Sequence, residues 1–339
     1  MTSSAIDSLK SVVRTIAGSR IAIDVQIKRI RMAGSLTILN LHRVSDQHGT
    51  AYAPLSPKIF NTLLGWLKRH YEIMTFDELS SVQQTAKPPL VLSFDDGYKD
   101  FIEFTTPILA KHNIRVNQNI IPAYVESGRP PLNVIIQDFI GTAPASLLRE
   151  IKLPKEFRNI NIDPDNRIRS GAIASAILKN LPIAHQKLIF AELEVQFDRF
   201  DRFRTTPMMT VDEIRQISSK HELGVHSWEH ATMAVETDAY LLEDIRRCRE
   251  YCRAKFDLTP RIYALPNGSA RAGQPEIIRD SGYTFVLAVG EQFSRCKNWL
   301  HPRFSFQAES DADARLQATG RFRSPVARPS DQLLSVSSN

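Results

Sequence analysis

Val91-Leu-Ser-Phe-Asp-Asp-Gly97 is a short apolar run that ends in two adjacent carboxylates and a glycine. The run reads as a buried strand, and Gly97 permits a sharp bend at its end. Neighbouring side chains on a strand point to opposite faces, so Asp95 and Asp96 converge on one site only if the strand stops there and the chain turns. In parallel α/β sheets the C-terminal strand ends are where active sites collect. A turn with two solvated acids is the competing reading of the same residues.

A second strand end carries chemistry. Gly224-Val-His-Ser-Trp-Glu-His230 again follows a short apolar run, and it sets His226 and His230 four residues apart. Two imidazoles at that spacing meet one metal if the residues between them form a single helical turn. Surface helices carry such pairs by chance, so the strand-end position is what favours a site. Two neutral imidazoles and one carboxylate make a facial ligand set with open positions, as a hydrolytic metal needs for a water and a carbonyl oxygen.

Around these two segments, apolar runs alternate with helix-period stretches, the pattern of βα units on a parallel sheet. Strands are expected over 36–42, 90–94, 222–226, 261–265 and 283–289. Ser56 with Pro57 opens a helix whose apolar face is Phe60, Leu63, Leu64 and Leu67. Thr210 and Glu213 form a capping box, and a helix from about Pro275 stops at Gly282. Residues 1–34 read as an N-terminal helical extension and 35–320 as the catalytic unit. Within it, 129–207 lacks a clean strand and reads as a helical insertion between two strands. Residues 321–339, rich in Pro, Ser and Gln, read as a disordered tail.

The 339 residues, 42% hydrophobic and 24% charged, describe an ordinary globular chain rather than a fibrous or membrane-spanning one. The net charge of +6 is spread along the sequence, with no dense basic run, so no nucleic-acid partner is expected. Lys28, Arg29 and Arg31 cluster but read as a solvated helix face. Cys248, Cys252 and Cys296 are too few and oddly numbered for a disulfide framework and read as free thiols. Charges at Lys10, Arg14, Arg20 and Asp24 interrupt each early apolar run before it reaches signal-peptide length, so a cytoplasmic protein is expected. The oligomeric state is not readable.

Ser93-Phe-Asp-Asp-Gly97 together with His226-Ser-Trp-Glu-His230 resembles the first two motifs of the polysaccharide deacetylases, the NodB-like carbohydrate esterases. The resemblance runs from about Ser35 to about Ser305. It implies a distorted (β/α) barrel with fewer than eight full units, here elaborated by the helical insertion. It also implies that Asp95 is the general base and that Asp96, His226 and His230 bind a divalent metal, zinc first, with cobalt, manganese or nickel as alternatives. The residues alone do not say which aspartate has which role. Tyr263-Ala-Leu-Pro-Asn-Gly268 looks like the third motif, which implies an oxyanion contact at Pro266, Asn267 and Gly268. The arginine common in that motif is replaced by Ala264 and its aromatic residue by Asn267. Arg303 is a candidate for the absent guanidinium, with a structural salt bridge as the other reading. Asp280-Ser-Gly-Tyr283 resembles the fourth motif and makes Asp280 a supporting residue.

The general acid has two candidates. Ile38-Leu-Asn-Leu-His-Arg-Val-Ser45 resembles the opening strand of circularly permuted members, with Leu41 in place of a tyrosine and His42 at the strand's end. His301 lies late in the chain, as the acid does in unpermuted members. His42 is favoured because a histidine closing a core strand is placed to reach a barrel mouth; a buried core histidine is the bland alternative. The implied activity is hydrolysis of a carbon–nitrogen, non-peptide bond: removal of an N-acetyl or other N-acyl group from an amino sugar in a saccharide or glycan precursor. A metal-dependent hydrolase of a small formamide or cyclic imide, or a non-catalytic carbohydrate-binding relative, are the competing functions.

Overall fold

The computed structural model describes residues 20–47, 50–81, 86–158, 160 and 162–326. The expected extension upstream of residue 20 and the tail beyond 326 lie outside these. The described residues form eight strands: β1 Thr37–Leu41, β2 Glu72–Met74, β3 Pro89–Phe94, β4 Asn117–Ile120, β5 Glu222–Val225, β6 Ile262–Ala264, β7 Phe285–Val289 and β8 Leu300–Ser305. All ladders among them are parallel. Because β1 pairs with both β3 and β8, seven strands close into a barrel, and β2 only flanks the first half of β3. The fold is a distorted (β/α) barrel of fewer than eight units, as the sequence implied.

The alternation of side chains along each strand explains why the barrel holds both a core and a site. Leu39, Leu41, Leu90, Leu92 and Phe94 face outward into the apolar layer beneath the helices. On the same strands Ile38 and Val91 face inward, where they pack with Ile262, Ala264, Phe285, Leu287 and Phe76. Two residues further along, the inward positions turn polar: Asn40 then His42, and Ser93 then Asp95. The lower barrel is therefore an apolar plug and the C-terminal end a polar pocket. Glu222, at the start of β5, closes the bottom by accepting the N–H groups of Phe76 (2.9 Å) and Asp77 (2.8 Å).

The helices whose starts the sequence marks follow local rules, save at one cap. Helix Pro57–His70 buries Phe60, Leu63, Leu64 and Leu67 against the barrel, each contributing about 1.5–3 kcal/mol relative to exposure. Its Ser56 sits at the cap position but makes no side-chain cap bond; Pro57, which has no N–H to satisfy, starts the helix. Thr210 and Glu213 form the full capping box. Strands β2, β4 and β8 were not visible in the sequence. The reason is composition: Asn-Gln-Asn-Ile and Leu-His-Pro-Arg-Phe-Ser break the apolar pattern that marks a buried strand.

Between β4 and β5 lie Leu132–Thr142, Arg167–Lys179 and Ile183–Phe197, helices with an apolar core of their own built on Phe139, Phe157, Leu178, Leu193 and Phe197. Helix Arg20–Met32 packs Ile23 and Ile30 onto the barrel, and its Gln26 side chain donates to the Arg323 carbonyl at 2.9 Å. Cys248 and Cys252 share the buried face of helix Asp238–Phe256 and are unpaired, as is Cys296. Among the described residues no helix is long and apolar enough to cross a membrane.

Candidate active site

At the end of β3 the chain is held and then bent. The Asp95 N–H donates to the Leu41 carbonyl (2.9 Å), extending the ladder by one residue. Asp96 and Gly97 then adopt positive φ, 77° and 88°, and Gly97 donates back to the Asp95 carbonyl (3.1 Å). This reversal lets two consecutive carboxylates share one pocket, at the cost of holding Asp96 in a left-handed conformation.

His226 extends inward from β5, past Gly224, where any side chain would collide with the Asn119 carboxamide. The His226 Nδ1 lies 2.9 Å from the Ala264 carbonyl. A carbonyl only accepts, so Nδ1 carries the proton and the Nε2 lone pair points into the pocket. His230 does not follow on a helical turn, contrary to the sequence expectation. Residues 227–229 form a tight turn with Ser227 at φ 62° and His230 at φ 61°, which swings the second ring around to the first. The ring centroids are 5.0 Å apart.

A helix residue far away in sequence holds this turn. Asp244, buried on Asp238–Phe256, accepts from Ser227 Oγ (2.7 Å), the Trp228 N–H (2.8 Å) and Tyr263 Oη (2.7 Å). Replacing it with alanine strands three buried donors and frees the turn. For the metal role that the motifs imply for Asp96, His226 and His230, Asp244→Ala is expected to weaken binding about tenfold to hundredfold, as loss of a ligand-orienting partner does. Chelator competition measures this; an unchanged dissociation constant would show that the turn holds itself.

Asp96, His226 and His230 present ligand atoms that all lie within 4.8 Å of one another, and all three residues are buried. Asp96 Oδ1 is 3.5 Å from His226 Nε2 and 3.6 Å from His230 Nε2, yet has no hydrogen-bond partner. An orphaned carboxylate oxygen facing the His226 lone pair is a repulsive arrangement unless a cation lies between them. Burial also pushes the His230 pKa down to about 3, so this ring stays neutral and fit to ligate.

Asp95 is held differently. Its Oδ1 accepts from Asn119 Nδ2 (2.8 Å) and from Arg303 Nη1 (2.8 Å), while Oδ2 has no partner and lies 3.9 Å from His226 Nε2. Arg303 is itself fully buried and also donates to Ser93 Oγ (3.1 Å). Burial raises the Asp95 pKa, but the Arg303 guanidinium and the nearby histidines override it and hold the carboxyl well below the usual range. Asn119 belongs to a polar chain through Asn117 (2.9 Å) to Ser93 (2.7 Å). Sequence reading missed Asn117, Asn119 and Asp244; the first two lie in a run of three polar residues, Asn117-Gln118-Asn119, that carries no strand alternation.

The remaining candidates are dispersed. His42 lies one residue past β1, half-buried, with the Tyr52 ring edge-on at 6.1 Å. Its pKa is lowered by burial, against the fields of Asp96 and Asp95. His301 lies one inward layer below Arg303, between the rings of Phe76 (5.5 Å) and Phe285 (5.7 Å), with Nδ1 2.9 Å from Ser294 Oγ. Pro266–Gly268 is a short turn after β6. Asn267 sits there at φ 57°, its side chain donating to Thr232 Oγ1 (2.7 Å) two residues past His230. Asp280 is on the surface, paired with Arg279 (3.2 Å), and is not brought to the pocket.

Residues 176–286 match the family model of the polysaccharide deacetylases. That span contains His226, His230 and the 266–268 turn, but not Asp95 and Asp96. No curated protein matches the sequence. Among solved structures, the Streptococcus pyogenes deacetylase PplD in complex with acetate superposes with a TM-score of 0.55 at 14% identity, over 84% of this chain and 98% of that one. IcaB from Ammonifex degensii gives 0.53 at 15%, over 84% and 97%. A de-N-acetylase from Aggregatibacter actinomycetemcomitans gives 0.51 at 17%, over 81% and 96%. At such identities the likeness establishes the fold. The family that the two motifs resemble is thus the one whose model matches residues 176–286.

Proposed function

We propose that this chain, with the fold and a family match of the polysaccharide deacetylases, is a metal-dependent hydrolase that removes an N-acetyl or other N-acyl group from an amino sugar of a saccharide or glycan precursor. The observation that carries the reading is the unpartnered Asp96 Oδ1 facing two imidazole nitrogens, with a second, separately held carboxylate beside it.

Asp96, His226 and His230 would hold the ion, and zinc suits their mixed nitrogen and oxygen set, with cobalt, manganese or nickel as substitutes. When bound, the ion lowers the pKa of a coordinated water toward neutrality and polarises the amide carbonyl. The two aspartates divide the remaining work by their surroundings. Asp96 has its free oxygen on the ring nitrogens. Asp95 has one oxygen fixed by Asn119 and Arg303 and the other free and directed to the pocket, so it accepts the proton of the attacking water. In the turn Pro266, Asn267, Gly268 the donor left for the developing oxyanion is the Asn267 backbone N–H, since Pro266 has none and that of Gly268 donates to the Leu265 carbonyl (2.9 Å). His42 at the mouth returns a proton to the departing amine; His301, sunk in the apolar plug, serves the core instead.

The test is acetate release from N-acetylglucosamine oligosaccharides by the purified chain, with bound metal counted by elemental analysis. One tightly held ion per chain is expected, lost in His226→Ala together with activity. Less than one ion after zinc has been offered removes the metal from the reading, and acetate or formate release from small amides alone replaces the saccharide.

A further inference from the structure

The helical insertion touches the barrel mouth on two opposite sides. On the His42 side the Ala51 N–H donates to the Gln137 carbonyl (3.1 Å). Gly171, on helix Arg167–Lys179, lies so close that a methyl group there would meet the Ala51 Cβ at 2.5 Å. The neighbouring Tyr52 ring is the one beside His42 and stands 6.3 Å from Tyr98, the second residue after Asp96. On the His230 side, Glu236 Oε1 accepts the Ile183 N–H at 2.6 Å, and Lys187 pairs with Glu229 at 2.5 Å. The stretch from Gly171 to Ile183 therefore runs from one anchor to the other across the mouth, and Lys179 is the last helical residue before the second anchor.

Lys179 is half-buried, and among the described residues no carboxylate pairs with it. Burial lowers the pKa of Lys179, and the nearby Asp96 carboxylate opposes that shift. Arg303 is paired with Asp95 deep in the barrel, whereas Lys179 ends the helix that runs between the two anchors. A partly desolvated ammonium without a partner is stabilised by a ligand that brings the opposite charge.

We propose that Lys179 forms an anion subsite at the mouth, so that the preferred substrate is an N-acyl amino sugar carrying a carboxylate or phosphate close to the amide. This rests on the deacetylase reading of the metal pocket.

The test uses the metal-loaded full chain and three probes: a neutral N-acetylglucosamine oligosaccharide, a hyaluronan fragment that adds carboxylates, and uridine diphosphate N-acetylglucosamine, which adds phosphates. Binding is measured by titration calorimetry and turnover by acetate release. At low salt one anionic probe is expected to bind about tenfold more tightly than the neutral one, and which one it is identifies the anion. Lys179→Met removes that preference while the affinity for the neutral probe and the metal content stay unchanged; Lys179→Arg keeps it; added salt erodes it. Equal affinity of the wild type for all three probes overturns the subsite. So does a Lys179→Met protein that loses neutral and anionic binding alike, which would mark the lysine as structural. Lysine-dependent preference in binding without acetate release would leave the subsite standing and reject the deacetylase reading.

Discussion

Asp95→Asn is expected to lower acetate release at least about a hundredfold in a folded protein that still holds its metal. The substitution is nearly isosteric, and the amide oxygen can go on accepting from Asn119 and Arg303. The change falls on the other atom. Oδ2, the oxygen left without a partner, becomes an NH2 group that donates and cannot take a proton from water. None of the three proposed ligands is altered, so elemental analysis should still find one ion per chain. Arg303 loses its counter-charge, and some thermal stability goes with it, so turnover is compared at a temperature where both proteins are folded. Retained activity would take the base role from Asp95; loss of the ion would show that the two aspartates share the ligand task.

Much of the pocket was legible because its two anchor segments obey ordinary strand rules up to their last residue. Val91 to Phe94 and Glu222 to Val225 are buried runs, and the acids and imidazoles stand where those runs stop. What could not be read is the machinery that aims them. Asn117 and Asn119 make β4 look like loop because their inward side chains bond to Asp95 and Ser93 rather than fill a core. β8 hides in the same way, since one inward position is the arginine that neutralises Asp95. Local pattern fails where a strand serves the site, and succeeds where it serves the core. The spacing of His226 and His230 was informative for an incidental reason: the two rings meet through a left-handed turn, not a helical one, and its support comes from Asp244, which has no neighbour in sequence to announce it. Arg303 could be singled out as a spare guanidinium, but only closure of the barrel between β1 and β8 brings it to Asp95.

That pair makes the second large prediction. Arg303→Met keeps much of the apolar stem but leaves Asp95 buried without its cation, and breaking one side of a buried pair costs about 3–5 kcal/mol. The pH dependence distinguishes this from a simple packing defect. With Arg303 present the folded-state pKa of Asp95 is depressed, so its stabilising contribution is present above the unfolded carboxylate pKa and is lost as pH falls toward the folded value. Without Arg303, burial dominates and raises the folded pKa above the unfolded one. The sign then reverses, and the ionised carboxylate destabilises the protein as pH rises. In metal-free protein the melting-temperature gap between wild type and variant should therefore widen from acid to neutral pH, whereas a packing defect gives a constant gap. Turnover should respond in the same sense: with Asp95 as the proposed base, the acid limb of the rate profile moves to higher pH, since the carboxyl now keeps its proton to higher pH than beside Arg303. Arg303→Lys should restore part of the neutral-pH stability but not all of it, because one ammonium cannot donate at once to Asp95, Ser93 and the Ala288 carbonyl from the positions that the guanidinium occupies. A methionine variant that melts with a constant gap at every pH would mean that Arg303 fills space and that another group holds Asp95 ionised.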